Sequence, residues 1–275
     1  MKPAPFRYHQ PQSLEEALGL LSEFGADAKL IAGGQSLGPM MNMRLVQPTE
    51  LIDLNALAGL DRIEEQPDGL EIGALARHHA VASSAAVRRC CPLLAEAAQA
   101  IGHYAIRSRG TLGGSLAHAD PAAQLPLVAA TLGAEIAVAG PRGGRRIAAR
   151  EFFVSLMTTA LVPDEILVSV RFPKAAPDER HAYLQFSRRH GDFALVAVAA
   201  ILNSRELRVG IGGAEEKPVV LTEPVAGGRP DPAAVARKAR DAVDPAEDPR
   251  VPAVYRRELV EVLTRRALER CLTSN

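Results

Sequence analysis

The sequence is poor in cysteine, contains no tryptophan and has no excess of either charge. Its cysteines, Cys90, Cys91 and Cys271, are too few for an all-cysteine iron–sulfur cluster, and their spacing does not suit a structural zinc site. Two of them are adjacent and their number is odd, which argues against a disulfide framework and favours reduced thiols. No other group of residues has metal-ligand spacing, so we predict no metal site.

Long apolar runs are also missing. No stretch approaches the ~18 consecutive apolar residues of a membrane span, and segment 1–6 lacks the hydrophobic region of a secretory signal. Lysine and arginine together number 32, as do aspartate and glutamate, so no overall positive field attracts nucleic acid. We therefore expect a cytoplasmic protein with no transmembrane segment and no nucleic-acid partner. The hydrophobic share of 47% is ample for the core of one large domain or two ordinary ones.

The most informative stretch is 107–126, which reads RSRGTLGGSLAHADPAAQLP. Gly113 and Gly114 have no Cβ, so they allow positive φ and let another group lie against bare backbone. Successive amides around such a turn can converge on an anion, although a plain tight turn is the alternative. We call residues 111–115 the second glycine turn.

A helix is predicted directly after this stretch. Asp120 is a good N-cap and Pro121 suits the first helical position, so an apolar helix is expected over 122–132, with Gly133 ending it. A glycine turn that leads into a helix suits a ligand that carries phosphate.

Residues 29–37, KLIAGGQSL, repeat the pattern of a double glycine followed by a small or polar residue and leucine. We call residues 32–36 the first glycine turn. Two such turns could hold the two halves of a pyrophosphate. Neither turn is a Walker loop or the dinucleotide Gly-x-Gly-x-x-Gly fingerprint, which weakens the nucleoside-triphosphate and nicotinamide interpretations.

The remaining pattern predicts a mixed fold. Ser13 and Glu16 form a capping box, and turn residues at 66–69 and 141–144 indicate two hairpins. Helices are predicted over 14–24, 76–87, 92–100, 122–132, 232–242 and 252–271. Strands are predicted over 28–32, 50–54, 62–65, 70–73, 134–139, 145–148, 165–172, 183–187, 194–203, 206–212 and 218–221. Strands followed by helices indicate an α+β layer after a domain boundary near 173–178, with an antiparallel sheet packed on helices.

The two glycine turns and residues 188–199, RRHGDFALVAVA, resemble the FAD-binding subunit of the molybdenum hydroxylases. That family includes the medium subunit of aerobic carbon monoxide dehydrogenase and the flavin domain of xanthine dehydrogenase. The resemblance runs nearly end to end, from 5–8 to 255–259. It implies a two-subdomain FAD-binding fold of the vanillyl-alcohol-oxidase type followed by a C-terminal α+β domain. The implied domains are FAD-binding subdomains 1–55 and 56–174 and a C-terminal domain 175–275.

The resemblance also implies one non-covalently bound FAD. Both glycine turns would hold its pyrophosphate through backbone amides and the hydroxyl groups of Ser36, Thr111 and Ser115. Leu37 would lie near the isoalloxazine ring. The implied cofactor contacts are Lys29, Ala32, Gly33, Gly34, Gln35, Ser36, Leu37, Ile101, Gly110, Thr111, Gly113, Gly114, Ser115, His118, Asp120, Gln124 and Leu161.

At several of these positions the residue differs from that of relatives, or a second interpretation stays open. Gln124 stands where relatives often have an acidic residue, and Gln35 replaces a histidine found in some relatives, with little expected consequence. Ile101 and Leu161 match apolar contacts by position, but ordinary core packing is the alternative for each. His118 is close enough in sequence for a flavin contact.

A third motif supplies the residues implied to act in the reaction. Asp192 and Phe193 correspond to a loop where relatives place an aromatic or branched residue beside the flavin. Phe193 would shield one flavin face and move when an electron acceptor arrives. A core phenylalanine at the start of a strand is the alternative.

The implied function is an electron-transfer flavoprotein subunit. Its partners would be a [2Fe-2S] small subunit and a molybdopterin large subunit, as a dimer of heterotrimers. Electrons would pass from the iron–sulfur clusters to quinone, oxygen, NAD or another acceptor. The alternatives are a self-contained flavin oxidoreductase of the same superfold and a flavin-free scaffold that retains the turns for packing.

Overall fold

The computed structural model describes residues 2–225 and 229–273, which form an α+β architecture. The helices are α1 Leu14–Phe24, α2 Leu37–Asn42, α3 His78–Ser83, α4 Ala85–Cys90, α5 Pro92–Gln99, α6 Tyr104–Arg107, α7 Leu112–His118, α8 Gln124–Leu132, α9 Ala149–Phe152, α10 Pro232–Asp241 and α11 Ala253–Thr273. The strands are β1 Arg7–His9, β2 Ala28–Ile31, β3 Glu50–Asp53, β4 Ile63–Gln66, β5 Gly69–Gly73, β6 Glu135–Gly140, β7 Gly143–Ala148, β8 Phe153–Ser155, β9 Thr158–Thr159, β10 Ile166–Pro173, β11 Arg180–Phe186, β12 Val196–Leu202, β13 Glu206–Gly212 and β14 Val219–Pro224.

The first layer is a parallel three-stranded sheet, ordered β1-β3-β2, with α1 packed on it. The predicted cap of α1 is confirmed, because Ser13 Oγ accepts from Glu16 N at 3.1 Å. Gly25 ends the helix at φ 51°, a conformation that glycine adopts without steric cost. Strand β1 was not predicted from the sequence. Its Arg7 donates to the buried carboxylate of Glu50 on β3.

The second layer is a five-stranded antiparallel sheet, ordered β4-β5-β10-β6-β7. Both predicted hairpins are confirmed, with Gln66 opposite Gly69 and Gly140 opposite Gly143. Helices α3, α4, α5, α7 and α8 share the core of this sheet.

The structure corrects two helix predictions in this layer. The helix expected over 76–87 is two helices, because the chain leaves helical geometry at Ser84, whose hydroxyl caps α4. The helix expected from Ala122 begins at Gln124, since Asp120 Oδ1 accepts from Ala122 N and closes a turn instead of capping a helix.

The third layer is the antiparallel sheet β11-β12-β13-β14, and both of its faces are covered. One face packs on α10 and α11, and the other packs on α5 and α8 of the second layer. Every residue of β12 is therefore buried. Val254 of α11 is 64% exposed.

In the part of the chain that the structure describes, no helix is both long enough and apolar enough to cross a membrane. Within those same residues, no cluster of histidine, cysteine, aspartate or glutamate could hold a metal ion. The thiols of Cys90, Cys91 and Cys271 are buried and unpaired. Burial raises the pKa of Cys91 to about 12 and that of Cys271 to about 12, so both thiols stay protonated at neutral pH.

Candidate functional site

A cleft of about 570 Å³ opens where the three layers meet. Its walls are mostly apolar, and its volume lies within the roughly 300–1,000 Å³ typical of small-molecule sites. The structure brings all of the sequence-predicted site residues to this one cleft. They are Lys29, Ala32, Gly33, Gly34, Gln35, Ser36, Leu37, Ile101, Gly110, Thr111, Gly113, Gly114, Ser115, His118, Asp120, Gln124, Leu161, Asp192 and Phe193.

The first glycine turn connects β2 to α2. Gly34 has φ of +69°, which explains the glycine at that position. Within residues 2–225 and 229–273, no acceptor pairs with the backbone amides of residues 33–36. Gly33 lies against the backbone before the second glycine turn, since a Cβ there would come 2.3 Å from Arg109 O. The first glycine turn is therefore in direct contact with the segment that leads into the second.

The second glycine turn is not a turn, because Gly113 and Gly114 lie in the first turn of α7, which Thr111 caps. Neither glycine has a positive φ. Gly113 is required for close approach, since a Cβ there would lie 2.6 Å from the Cβ of Ala74.

The expectation that the second turn offers free amides is wrong for most of its length. Leu112 N donates to Ala76 O and Gly113 N to Ala74 O, at 2.9 and 2.8 Å. Gly114 N is paired with the hydroxyl of Thr111 at 3.2 Å. This segment therefore presents the Ser115 hydroxyl and a close backbone surface to the cleft, while the first turn presents the unpaired amides.

His78 also lines the cleft. Its Nε2 lies 2.8 Å from Thr111 O, so Nε2 carries the proton and donates. Burial lowers the pKa of His78 to about 4, and the ring is neutral at pH 7. The ring packs on Gly110, where a Cβ would come 2.7 Å from Cε1. The pairing of Arg77 with Thr111 brings this histidine to the site, and no local sequence pattern reveals that pairing.

Gln124 opens α8 and is buried at the edge of the cleft. Its Nε2 donates to Gln185 Oε1 at 3.0 Å, and Tyr183 Oη donates to the same oxygen at 2.7 Å. The Oε1 atom of Gln124 is therefore left to accept a hydrogen bond from a ligand. Because Tyr183 and Gln185 belong to β11, the third layer fixes a polar group of the cleft.

The loop that carries Asp192 and Phe193 forms one rim of the cleft. Phe193 is 58% exposed, so the alternative of a core phenylalanine is wrong. Gly191 has φ of +89° and lies against His103, where a Cβ would come 2.5 Å from Nε2. The His103 and His190 rings lie 5.5 Å apart, so this loop rests on the α5–α6 connection.

The cleft is also lined by further apolar residues for which no ligand contact was predicted from the sequence. They are Leu30, Ile31, Val46, Leu54, Leu75, Ile106, Ile166 and Leu167. Met40 also lines it. The cleft thus combines unpaired amides at one turn, hydroxyl and amide acceptors near α7 and α8, and an extended apolar wall. This set of groups fits FAD, which has an anionic pyrophosphate, a polyhydroxyl chain and a flat apolar ring system.

These features define a class, the flavin-binding proteins in which two N-terminal layers and a C-terminal layer enclose the cofactor site. Sequence comparison identifies the family within that class. Residues 4–175 match the FAD binding domain in molybdopterin dehydrogenase, and residues 181–271 match the CO dehydrogenase flavoprotein C-terminal domain. The chain belongs to this family of FAD-binding oxidoreductase subunits.

Individual relatives match over nearly their whole length. The chain is 38% identical over 285 residues to the 6-hydroxypseudooxynicotine dehydrogenase complex subunit alpha of Paenarthrobacter nicotinovorans, covering 99% of this chain and 96% of that protein. It is 34% identical over 281 residues to the carbon monoxide dehydrogenase medium chain of Afipia carboxidovorans, covering 98% of each. Among solved structures, a chain of carbon monoxide dehydrogenase from Hydrogenophaga pseudoflava matches with a TM-score of 0.94 at 34% identity, over 99% of both chains.

Proposed function

We propose that the chain is the FAD-binding electron-transfer subunit of a molybdenum-containing hydroxylase. It would accept electrons from the [2Fe-2S] clusters of a small subunit and pass them to an external acceptor. Bound FAD supplies a redox centre that exchanges one or two electrons. The observation that carries the proposal is the single cleft in which the family's motif residues meet.

The chain's own residues would bind and orient the cofactor. The unpaired amides of the first glycine turn would donate to the pyrophosphate, and Ser36 and Ser115 would add hydroxyl groups. Gln124 Oε1 would accept from a hydroxyl group of the cofactor chain. Leu37, Ile101 and Leu161 would contact its apolar part, and Phe193 would cover the exposed side of the site.

Relatives named as subunits of larger enzymes support a role that depends on partners. We propose a [2Fe-2S] small subunit and a molybdopterin large subunit, assembled as a dimer of heterotrimers. A cytoplasmic location is supported by the buried, unpaired thiols, which suit a reducing compartment. Relatives of similar identity carry names with unrelated substrates, so we propose that this subunit does not determine the substrate of the assembly.

The test separates the subunit from a self-contained oxidoreductase and from a flavin-free scaffold. The full chain is loaded with FAD, and its flavin content is measured after gel filtration. One FAD per chain is expected, and a chain that retains none would be the scaffold.

The loaded chain is then mixed anaerobically with carbon monoxide, a purine or an N-heterocycle. No loss of flavin absorbance is expected until a reduced [2Fe-2S] small subunit of the family is added. Rapid bleaching by a small substrate alone would establish the self-contained oxidoreductase instead.

A further inference from the structure

Two side-chain amides hold the carbonyl groups of the first glycine turn. Asn55 Nδ2 donates to Ala32 O at 2.8 Å, and Gln35 Nε2 donates to Gly33 O at 2.9 Å. The peptide bonds of the described residues are trans, so the C=O and N–H of one peptide point in opposite directions. Holding Ala32 O therefore turns Gly33 N–H away from Asn55. Holding Gly33 O turns Gly34 N–H away from the Gln35 side chain.

The orientation of the Asn55 amide is itself determined by its neighbours. Arg77 Nη2 lies 2.7 Å from Asn55 Oδ1, and a guanidinium can only donate. The oxygen of Asn55 must therefore face Arg77, which leaves Nδ2 facing Ala32 O. Asp53 Oδ1 accepts from both the backbone and the side-chain nitrogen of Asn55 and fixes it further.

The same arginine connects the two motifs of the cleft. Arg77 Nη1 donates to Arg109 O, the carbonyl against which Gly33 packs. Asn55 and Arg77 do not line the cleft, whereas Ala32 and Gly33 do. Asn55 thus binds the Ala32 carbonyl from outside the cleft, and Gln35 binds the Gly33 carbonyl from the cleft wall. The amides of Gly33 and Gly34 have no acceptor within the described residues.

We propose that Asn55, Arg77 and Gln35 are positioning residues of the pyrophosphate site. They hold the carbonyls of Ala32, Arg109 and Gly33, so that a pyrophosphate meets amides that are already oriented, with no ordering of the turn required on binding. This inference rests on the proposed function, because it specifies how the same cleft recognises FAD. It also assigns a role to Gln35, for which the sequence predicted little consequence.

The test uses the full chain with two substitutions that remove the donor without adding charge, Asn55→Ala and Gln35→Met. Asn42→Ala is the matched control, because Asn42 is an exposed asparagine at the end of α2. The FAD dissociation constant is measured by flavin fluorescence for each protein. We expect it to rise about tenfold in each test variant, the loss that corresponds to one ordinary hydrogen bond, and to change less than twofold in the control.

Phosphorus NMR at saturating FAD distinguishes positioning from general loosening. In both test variants the pyrophosphate resonances should shift from their bound positions toward those of free FAD. An unchanged FAD dissociation constant in the test variants would overturn the inference. The proposed function would stand in that case, because the wild-type chain still binds FAD. Weaker binding with wild-type phosphorus shifts would also overturn it. A wild-type chain that binds no FAD would remove the proposed function and this inference together.

Discussion

At the scale of single residues, Phe193 is a large apolar side chain that the fold leaves exposed at the rim of the cleft. It is 58% exposed and lies on a loop that rests on His103 rather than in the core. Phe193→Ala should therefore leave folding and FAD content unchanged and alter the rate at which the reduced flavin is reoxidised. Stopped-flow reoxidation with oxygen, a quinone and NAD as acceptors provides the measurement. Wild-type rates with every acceptor would contradict a role at the flavin.

His78 makes stability depend on pH. Its folded-state pKa of about 4 lies below the unfolded value of about 6.5, so the unfolded chain takes up the proton first as pH falls. The stabilising contribution is complete above the unfolded pKa and decreases as pH falls toward the folded one. At pH 5 the expected loss is about 2 kcal/mol.

Urea unfolding of the wild type and His78→Gln at pH 7 and pH 5 measures this dependence. Glutamine keeps a donor for Thr111 O and does not titrate. The wild type should lose more free energy of unfolding than the variant between the two pH values. Equal losses in both proteins would show that His78 does not titrate in this range.

At the scale of elements, the contact between the two glycine motifs depends on a missing side chain. Gly33→Ala would place a Cβ 2.3 Å from Arg109 O, so the turn and the segment before α7 must separate. We expect FAD binding to weaken at least 100-fold, about 3 kcal/mol, because the loss combines overpacking with displaced amides. Gly38→Ala is the control, since a Cβ there meets nothing within 4 Å. Equilibrium dialysis with FAD measures both, and equal affinities would contradict the role of this contact.

The same elements show what the sequence can predict. Capping and turn residues such as Ser13 and Gly25 act over a few positions, and α1 and both hairpins form where they indicate. The conformation predicted for the second glycine turn was wrong, because two of its amides donate to the carbonyl oxygens of Ala74 and Ala76, which are distant in sequence. The predicted start of α8 was wrong, because the side chain of Asp120 can close a turn as well as cap a helix.

For the site as well, the sequence predicted what short motifs determine and missed what contacts between distant residues determine. Motif residues predicted from the resemblance all reach the cleft, but their contacts with FAD stay a prediction. His78, Arg77 and Asn55 have no motif of their own. They were missed because long-range strand pairing and side-chain hydrogen bonds alone place them at the turns.

At the scale of the whole molecule, the third layer is bound to the second by several kinds of contact. Gly210 of β13 packs directly on Thr131 of α8, where a Cβ would come 1.9 Å from Oγ1. Gly213 N donates to Pro121 O at 2.8 Å, and Glu96 of α5 pairs with Arg270 of α11. The connection between the layers, in contrast, is exposed at 177–178.

We therefore expect the two parts to stay together when the connection is cut. A specific protease site inserted between Pro177 and Asp178 should yield two fragments that elute from gel filtration as one species. The intact insertion protein serves as the control for elution volume. Separate elution of the fragments under native conditions would contradict a shared core.

The double coverage of β12 also limits how the chain can be recombined. A C-terminal portion taken from a relative would bring a sheet shaped to that relative's own helices, and it would meet α5 and α8 of this protein through mismatched surfaces. The bond from Gln124 Nε2 to Gln185 Oε1 would then depend on the residue that the relative supplies in β11. A functional exchange between such subunits therefore has to include the faces of α5 and α8 that contact the sheet, together with the sheet itself. The residues that must change together are those of this interface, and they are not confined to the segment that follows the connection.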